Sequence, residues 1–204
     1  MAGFVEQLRR HVRPAHDWLG PMPLITERLH IGPVTPETIA SYAQLFDAEF
    51  ARLHRHSPSQ MLDMHRWLDP LHGRPVEVVK PTAVLSLHED PTRAIGFVTM
   101  TSSAPLPGTT SMRTLGLHLE RGSRGKGYMS EALAEIVRHL SAEGFRNVWL
   151  ATGPENGAMI ALCARLGYRV HGRIDFTFPD GSTDEVLAVE VIPSTRSGDP
   201  ATAG

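Results

Sequence analysis

The chain has 204 residues, with 20 Lys+Arg against 22 Asp+Glu, a formal net charge of −2 and a sequence pI near 6.6. That balance excludes a protein built to coat nucleic acid, which needs a basic surface, and a mix of 41% hydrophobic and 21% charged residues excludes a disordered chain. No apolar run reaches the roughly 18–20 residues that cross a bilayer. The one cysteine, Cys163, rules out an internal disulfide and a cysteine zinc cage. The expectation is a soluble cytoplasmic protein with one domain over 23–193, an N-terminal arm over 1–22 and a flexible polar tail over 194–204.

Residues 4–13 (FVEQLRRHVR) set Phe4, Val5, Leu8 and Val12 at helical spacing. This predicts a short docked helix or an arm that meets a partner chain, a homodimer included. Pro14, Gly20, Pro21 and Pro23 break the chain behind it. Residues 24–34 read as a strand. Thr35-Pro36 reads as a helix start, with Thr35 as N-cap and Pro36 at the first helical position. The helix it opens carries Ile39, Tyr42, Ala43, Phe46 and Phe50 on one face. A second helix is expected over 58–71, opened by Ser57 or Ser59. Strands follow at 83–87 and 94–100, joined by a turn at His88–Thr92, and then at 114–120.

From Tyr128 to Glu143 the pattern is strongly helical, with Met129, Leu133, Ile136, Val137 and Leu140 in one stripe and Gly144 placed to end it. VWLAT at 148–152 is a strand. Asn156 opens a short helix that turns Met159, Ile160, Cys163 and Leu166 inward and closes at Gly167. Two last strands are joined through Pro179-Asp180-Gly181. Consecutive strands imply a mixed sheet with antiparallel hairpins, hence an α+β fold rather than a doubly wound parallel sheet.

The segment richest in chemistry is Leu119 to Tyr128 (LERGSRGKGY), a strand-to-helix turn with three glycines and three basic residues. N–H groups at a helix N-terminus lack intrahelical partners and sit at the positive end of the helix dipole. Glycines let that backbone approach a bulky anion, and Arg124 and Lys126 add formal charge. The loop reads as a phosphate cradle or as a plain solvated turn. A P-loop is excluded because Gly127, not Ser or Thr, follows Lys126, and a dinucleotide fingerprint would need glycine where Ser130 stands.

With its flanks, LGLHLERGSRGKGYMSEAL and VWLATGPENGAMIALCARLGYRVHGR, the segment resembles the GNAT superfamily of N-acetyltransferases, and within it the ribosomal-protein-alanine acetyltransferase-like (RimJ/RimL-type) branch. The likeness is densest over 114–173. Gly125 and Gly127 fit the family's phosphate-loop glycines and Arg124 its basic neighbour, while Gly122 departs from the usual Gln or Arg. The resemblance implies a mostly antiparallel central sheet with helices on both faces and two splayed parallel strands, 114–120 and 148–152. Between them the pantetheine arm of acetyl-CoA would lie. It implies main-chain contacts to the arm from Leu117 and Leu119, pyrophosphate held by the amides of Arg124, Gly125, Lys126, Gly127, Tyr128 and Met129, and a side-chain contact from Asn156. The activity implied is acetyl transfer to a primary amine, of a protein or peptide N-terminus or of a small molecule. A non-catalytic acyl-CoA-binding sensor or scaffold is the alternative.

Transfer from a thioester to an amine needs a neutral amine, an N–H donor for the oxyanion and a proton for the departing thiolate. Leu119 N–H is the expected oxyanion donor. Where many relatives carry a glutamate base this chain has Arg113 and Ala151, so the base candidates are His118, which titrates in the right range, and Glu155, beside a base reached through water or an acceptor amine of low pKa that needs none. Where many relatives carry a tyrosine acid this chain has Cys163, a candidate acid or a small buried hydrophobe. His54, His56, His65 and His72 read as surface histidines of an acceptor region, and no metal is expected. Asp175 to Glu190 holds five carboxylates and no Lys or Arg. It is expected to form a solvated edge or an anionic rim, with Asp184 and Glu185 meeting a cationic amine.

Overall fold

The computed structural model describes residues 23–68, 82–103, 112–178 and 180–194. The predicted helix at 4–13, Pro179 and nearly all of the expected tail lie outside the described residues. In chain order the elements are β1 (Leu24–Ile25), β2 (Leu29–Gly32), α1 (Ile39–Gln44), α2 (Ala48–Leu53), α3 (Pro58–Leu68), β3 (Thr82–Leu87), β4 (Asp90–Ser103) and β5 (Met112–Leu119). A 3₁₀ turn (Arg121–Ser123), α4 (Tyr128–Ala142), β6 (Val148–Thr152), α5 (Gly157–Arg165), β7 (Arg169–Thr177) and β8 (Thr183–Ile192) complete them. The strands form one sheet in the order β1-β2-β3-β4-β5-β6-β8-β7. Every neighbouring pair is antiparallel except β5 and β6, which run parallel. This is the α+β architecture expected.

Helices cover both faces. On one, α4 and α5 bury Leu133, Ile136, Leu140 and Cys163 against Leu29, Leu85, Ile95, Leu115, Leu150 and Val189 of the sheet. On the other, α1, α2 and the link between them build an aromatic core in which Tyr42, Phe46 and Phe50 pack against Phe97 at centroid distances of 5.5, 5.3 and 6.0 Å. Trp149, whose neighbours Val148 and Leu150 belong to the α4 side, points to the α1 side by strand alternation and packs on Ala188 and Ile174.

Three local expectations are corrected. The strand at 24–34 is a hairpin: Thr26 N–H donates to Leu29 O and Leu29 N–H to the Thr26 hydroxyl, both at 3.0 Å, folding β1 back on β2. The helix expected from Pro36 to Phe50 is two. Its start also moves: Ile39 N–H reaches Thr35 O at 3.0 Å in a turn, but α1 begins at Ile39 with Thr38 as its N-cap, so Thr35 and Pro36 lie just before the helix. Asp47 then accepts from Phe50 N–H at 2.7 Å and starts α2 afresh, a side-chain cap outcompeting helix continuation. The helix expected over 58–71 does form, from Pro58 to Leu68, and 69–71 lie outside the described residues. In α5 the buried residues are Leu162 and Cys163, whereas Ile160 is only half-buried.

Candidate active site

The parallel strands β5 and β6 pair only at Arg113↔Val148, Thr114↔Trp149 and Leu115↔Leu150. Beyond that they part, although β5 runs on to Leu119 and β6 to Thr152. Two hydrogen bonds fix which backbone groups line the gap. Arg113 N–H donates toward β6, to Asn147 O at 3.1 Å, and Glu120 N–H donates toward β4, to Ile95 O at 2.9 Å. Backbone directions alternate along a strand, so Leu115, Leu117 and Leu119 all aim N–H and C=O toward β6. Leu115 finds its partner there, while Leu117 and Leu119 face the opening.

The opening ends at the glycine-rich loop. Gly125 and Gly127 adopt φ of +75° and +85°, a region that L side chains resist. Gly127 is the N-cap of α4 and brings no side chain to cap it, so the first-turn N–H groups stay open to an anion. The basic residues divide. Lys126 is exposed. Arg124 turns back, donating from Nε to Leu119 O at 2.9 Å and from Nη1 to Glu49 at 3.0 Å, so its charge is largely offset rather than aimed at the cradle. The cation that reaches the loop instead is Arg28, invisible in the sequence because it lies 98 residues from Lys126. Its Nη1 donates to Lys126 O at 2.9 Å, its Nε and backbone N–H hold Glu131 at 2.7 and 2.8 Å, and it lies 4.7 Å over the Tyr128 ring. Met129 packs its side chain on the core, leaving only its backbone for the cradle.

The three candidate catalytic side chains do not converge. His118 is 6% exposed on the α1–α2 face, ringed by Phe50, His54 and Phe97 at 5.1, 5.7 and 5.5 Å. Burial and the neighbouring Arg124 push its pKa down to about 4, against the pull of Asp47 and Glu49. This corrects the expectation that it titrates near neutrality: the imidazole is neutral there. Cys163 is 1% exposed in the core on the opposite face, and burial raises its thiol pKa. Glu155 is exposed in the turn after β6, its carboxylate folded over Gly153. Asn156 accepts from Met159 N–H at 3.2 Å and caps α5.

His54 and His56 are half-buried rather than open surface groups, both stacking on Phe50, at 4.4 and 5.3 Å, while His65 is exposed as expected. Burial, with nearby His118, pushes His54 down to about 4 as well. Among the described residues no group of three or more His, Cys, Asp and Glu could hold a metal ion. His72 lies outside the described residues.

The acidic hairpin is not a free rim. Asp184 pairs with Arg55 at 2.8 Å and Glu185 with Arg173 at 2.5 Å. Arg55 also lies 4.1 Å over Phe178, and its carbonyl accepts from Asp180 N–H at 3.1 Å. The β7–β8 turn is thereby strapped to the loop after α2. On the same face, under the end of β5, a cleft of about 200 Å³ is lined by Gln44, Asp47, Glu49, Arg93, His118 and Glu120 among others.

The family described as "Acetyltransferase (GNAT) domain" matches residues 28–169, well over half of the chain. No curated protein matches the chain in sequence. The fold is similar to that of RimL, a ribosomal L7/L12 alpha-N-protein acetyltransferase in complex with coenzyme A, with a TM-score of 0.62 and 16% identity over 84% of this chain and 97% of that one. It is similar to a GNAT-family acetyltransferase from Bacillus anthracis, with a TM-score of 0.60 and 14% identity over 82% and 97% of the two chains. It is similar also to the ribosomal-protein-S5-alanine acetyltransferase from Vibrio fischeri, with a TM-score of 0.58 and 16% identity over 84% and 96%. The parted β5 and β6, the open glycine loop that follows β5 and the matched family agree: the chain belongs to the GNAT family of acetyl-CoA-dependent N-acetyltransferases.

Proposed function

We propose that the chain acetylates an α-amino group, of a protein or peptide N-terminus or of a small amino-acid-like molecule, from acetyl-CoA held in the β5–β6 gap. The observation that carries this reading is the gap itself, with the Leu117 and Leu119 backbone facing it and an open helix N-terminus at its end. The pantetheine arm would pair with Leu117 and Leu119 as an extra strand. Arg124 already donates to Leu119 O, so the arm must displace that guanidinium to pair with the Leu119 carbonyl, which leaves the Leu119 N–H for the oxyanion. The backbone of Arg124 to Met129 holds the pyrophosphate, with Lys126 beside it and Arg28 bracing the loop from behind. Asn156 would meet the arm through the amide nitrogen that capping leaves available.

In the reaction the amine nitrogen attacks the thioester carbonyl, the C–N bond forms and the oxyanion accepts from Leu119 N–H. Collapse breaks the C–S bond, and the CoA thiolate leaves and takes up a proton. The nitrogen gives its proton to water in the open cleft, with neutral His118 accepting the N–H during attack. Glu155, exposed at the far side of the gap, would act only through water, and the burial of Cys163 supports packing rather than acid catalysis. Among the described residues no side chain at the gap is a strong base, which favours acceptors that are partly neutral. At pH 7 roughly one α-amino group in seven is neutral, against roughly one lysine side chain in 2,500. Asp184 and Glu185 would shape the acceptor's entry by strapping the hairpin down rather than by free charge.

Neither nucleic acid nor a membrane is called for: the net charge is near zero, and no described helix is long and apolar enough to cross a bilayer. Action in the cytoplasm, and a homodimer if the N-terminal arm meets a second copy, complete the proposal. The test is thiol release from acetyl-CoA with a panel of peptides bearing free N-termini or, with the N-terminus blocked, free lysines. Release with the first set and little with the second is expected. No release with any amine, alongside intact binding of acetyl-CoA, would favour the sensor reading.

A further inference from the structure

The cleft under the end of β5 combines three features that the cradle and the gap do not use. Its carboxylates are unequal. Glu120 is held by Arg93 at 2.6 Å and by the Ser123 hydroxyl at 2.7 Å, and Glu49 by Arg124 at 3.0 Å. Asp47 is exposed and accepts only from a backbone N–H, that of Phe50, so its charge has no cationic partner among the described residues. Summed over these groups, two ion pairs and a bare carboxylate leave the cleft negative. Second, His118 is more than nine-tenths buried, lines this cleft, and makes no hydrogen bond among the described residues. His118 is not among the residues whose buried ring nitrogens are sealed off without a partner, so the cleft it lines leaves an imidazole nitrogen open to a donor that enters. Third, His118 lies between Leu117 and Leu119, so the cleft floor is the strand that lines the gap.

We propose that this cleft is the subsite for the acceptor's amino group, with Asp47 supplying the unbalanced negative charge and His118 accepting an N–H from the bound primary amine. The assignment rests on the acetyl-transfer reading above and specifies where its second substrate docks. A space of about 200 Å³ is below the roughly 300–1,000 Å³ of pockets for drug-sized ligands. It takes one terminal residue or a small amine, with the remainder of a longer acceptor outside. Negative charge suits the nitrogen twice: it arrives largely as an ammonium, and it becomes positive again as it attacks the carbonyl. An interaction made with that second, developing charge speeds the reaction rather than merely binding substrate.

The probe is L-alaninamide, with lactamide, its neutral hydroxyl counterpart, as control, added to the full chain saturated with CoA. The ring ¹⁵N resonances of His118 report the cleft directly. Alaninamide is expected to shift them saturably and lactamide to leave them in place. Asp47→Asn keeps an oxygen to cap α2 but loses the charge. It should weaken the alaninamide titration ~3- to 10-fold, the range for a partly exposed charge, and leave CoA binding and Tm as in wild type. Resonances that do not move, an equal shift by lactamide, or unchanged binding in Asp47→Asn overturns the assignment. Thiol release from acetyl-CoA with alaninamide judges the acetyl-transfer reading separately. If release occurs and His118 does not respond, the cleft is refuted and the reading stands. If no amine supports release, the reading fails and the titration still decides whether the cleft binds ammonium.

Discussion

Replacing Gly127 by alanine separates the cradle's backbone requirement from ordinary helix-end strain. Gly127 has φ of +85° at the N-terminus of α4, and Gly144 has φ of +82° just past its C-terminus. A Cβ in this region costs roughly 1–2 kcal/mol, so each alanine variant should lose about 2–8 °C in Tm, at about 2–4 °C per kcal/mol for a domain of this size. The two positions differ in what the new methyl meets. At Gly144 nothing lies within 4 Å, whereas at Gly127 the methyl sits 3.3 Å from Arg28 Nη2, whose guanidinium also holds Lys126 O. Moving Arg28 loosens the loop, and the methyl itself occupies the approach to the α4 N-terminus. Gly127→Ala should therefore weaken CoA about 10-fold, or 1.4 kcal/mol, while Gly144→Ala should not. CoA at about 100 times its wild-type Kd stabilises by about 2.7 kcal/mol. At that concentration Gly127→Ala should gain only about half as much. Calorimetric Kd values and Tm with and without CoA measure both quantities. Equal CoA affinity in the two variants would refute the placement of the pyrophosphate at this loop.

Cys163→Ala should keep the turnover number within ~3-fold, with a loss of stability in the usual ~0.5–3 kcal/mol range, because the thiol is buried away from the α1–α2 face; a folded, CoA-binding variant slowed ~100-fold would make Cys163 an acid after all. For His54 and His118, both held at about 4 in the fold, the unfolded chain binds protons that the native state refuses below about pH 6.5, so stability is full above that pH and lost as pH falls toward 4. A Tm–pH profile of His118→Gln should be flatter across that window than that of wild type, and an identical slope would contradict the buried neutral imidazole. Asp184→Asn with Glu185→Gln should raise the acceptor KM ~3- to 10-fold, less at high salt, and spare the KM for acetyl-CoA; initial rates that change equally for both substrates would detach the hairpin from the acceptor.

Much of this protein is written locally. The stripe of α4, its glycine at either end, the Asn156 cap and the Asp180-Gly181 turn each depend on residues within about one helical turn or one hairpin, where periodicity and backbone preference decide. The glycine loop was legible for the same reason, as a backbone that can open beside a helix N-terminus. The break at Asp47 is equally local, but an apolar stripe running from Ile39 to Phe50 hides a capping residue in its middle.

What the sequence could not carry is the choice of partners for charged and titrating groups. Asp184 looked unpaired in a stretch without Lys or Arg, yet its arginine lies 129 residues away. Arg124 looked aimed at phosphate, yet Leu119 O and Glu49 hold it. His118 looked like a base near neutrality, yet strand alternation buries it among aromatic rings from α2 and β4, where the charged imidazole loses its water. Such partners are set by which elements the sheet order brings together. Local preferences fix the elements and the bare backbone of the cradle, while the dielectric and neighbours of each side chain exist only once the sheet and its two helical faces have closed.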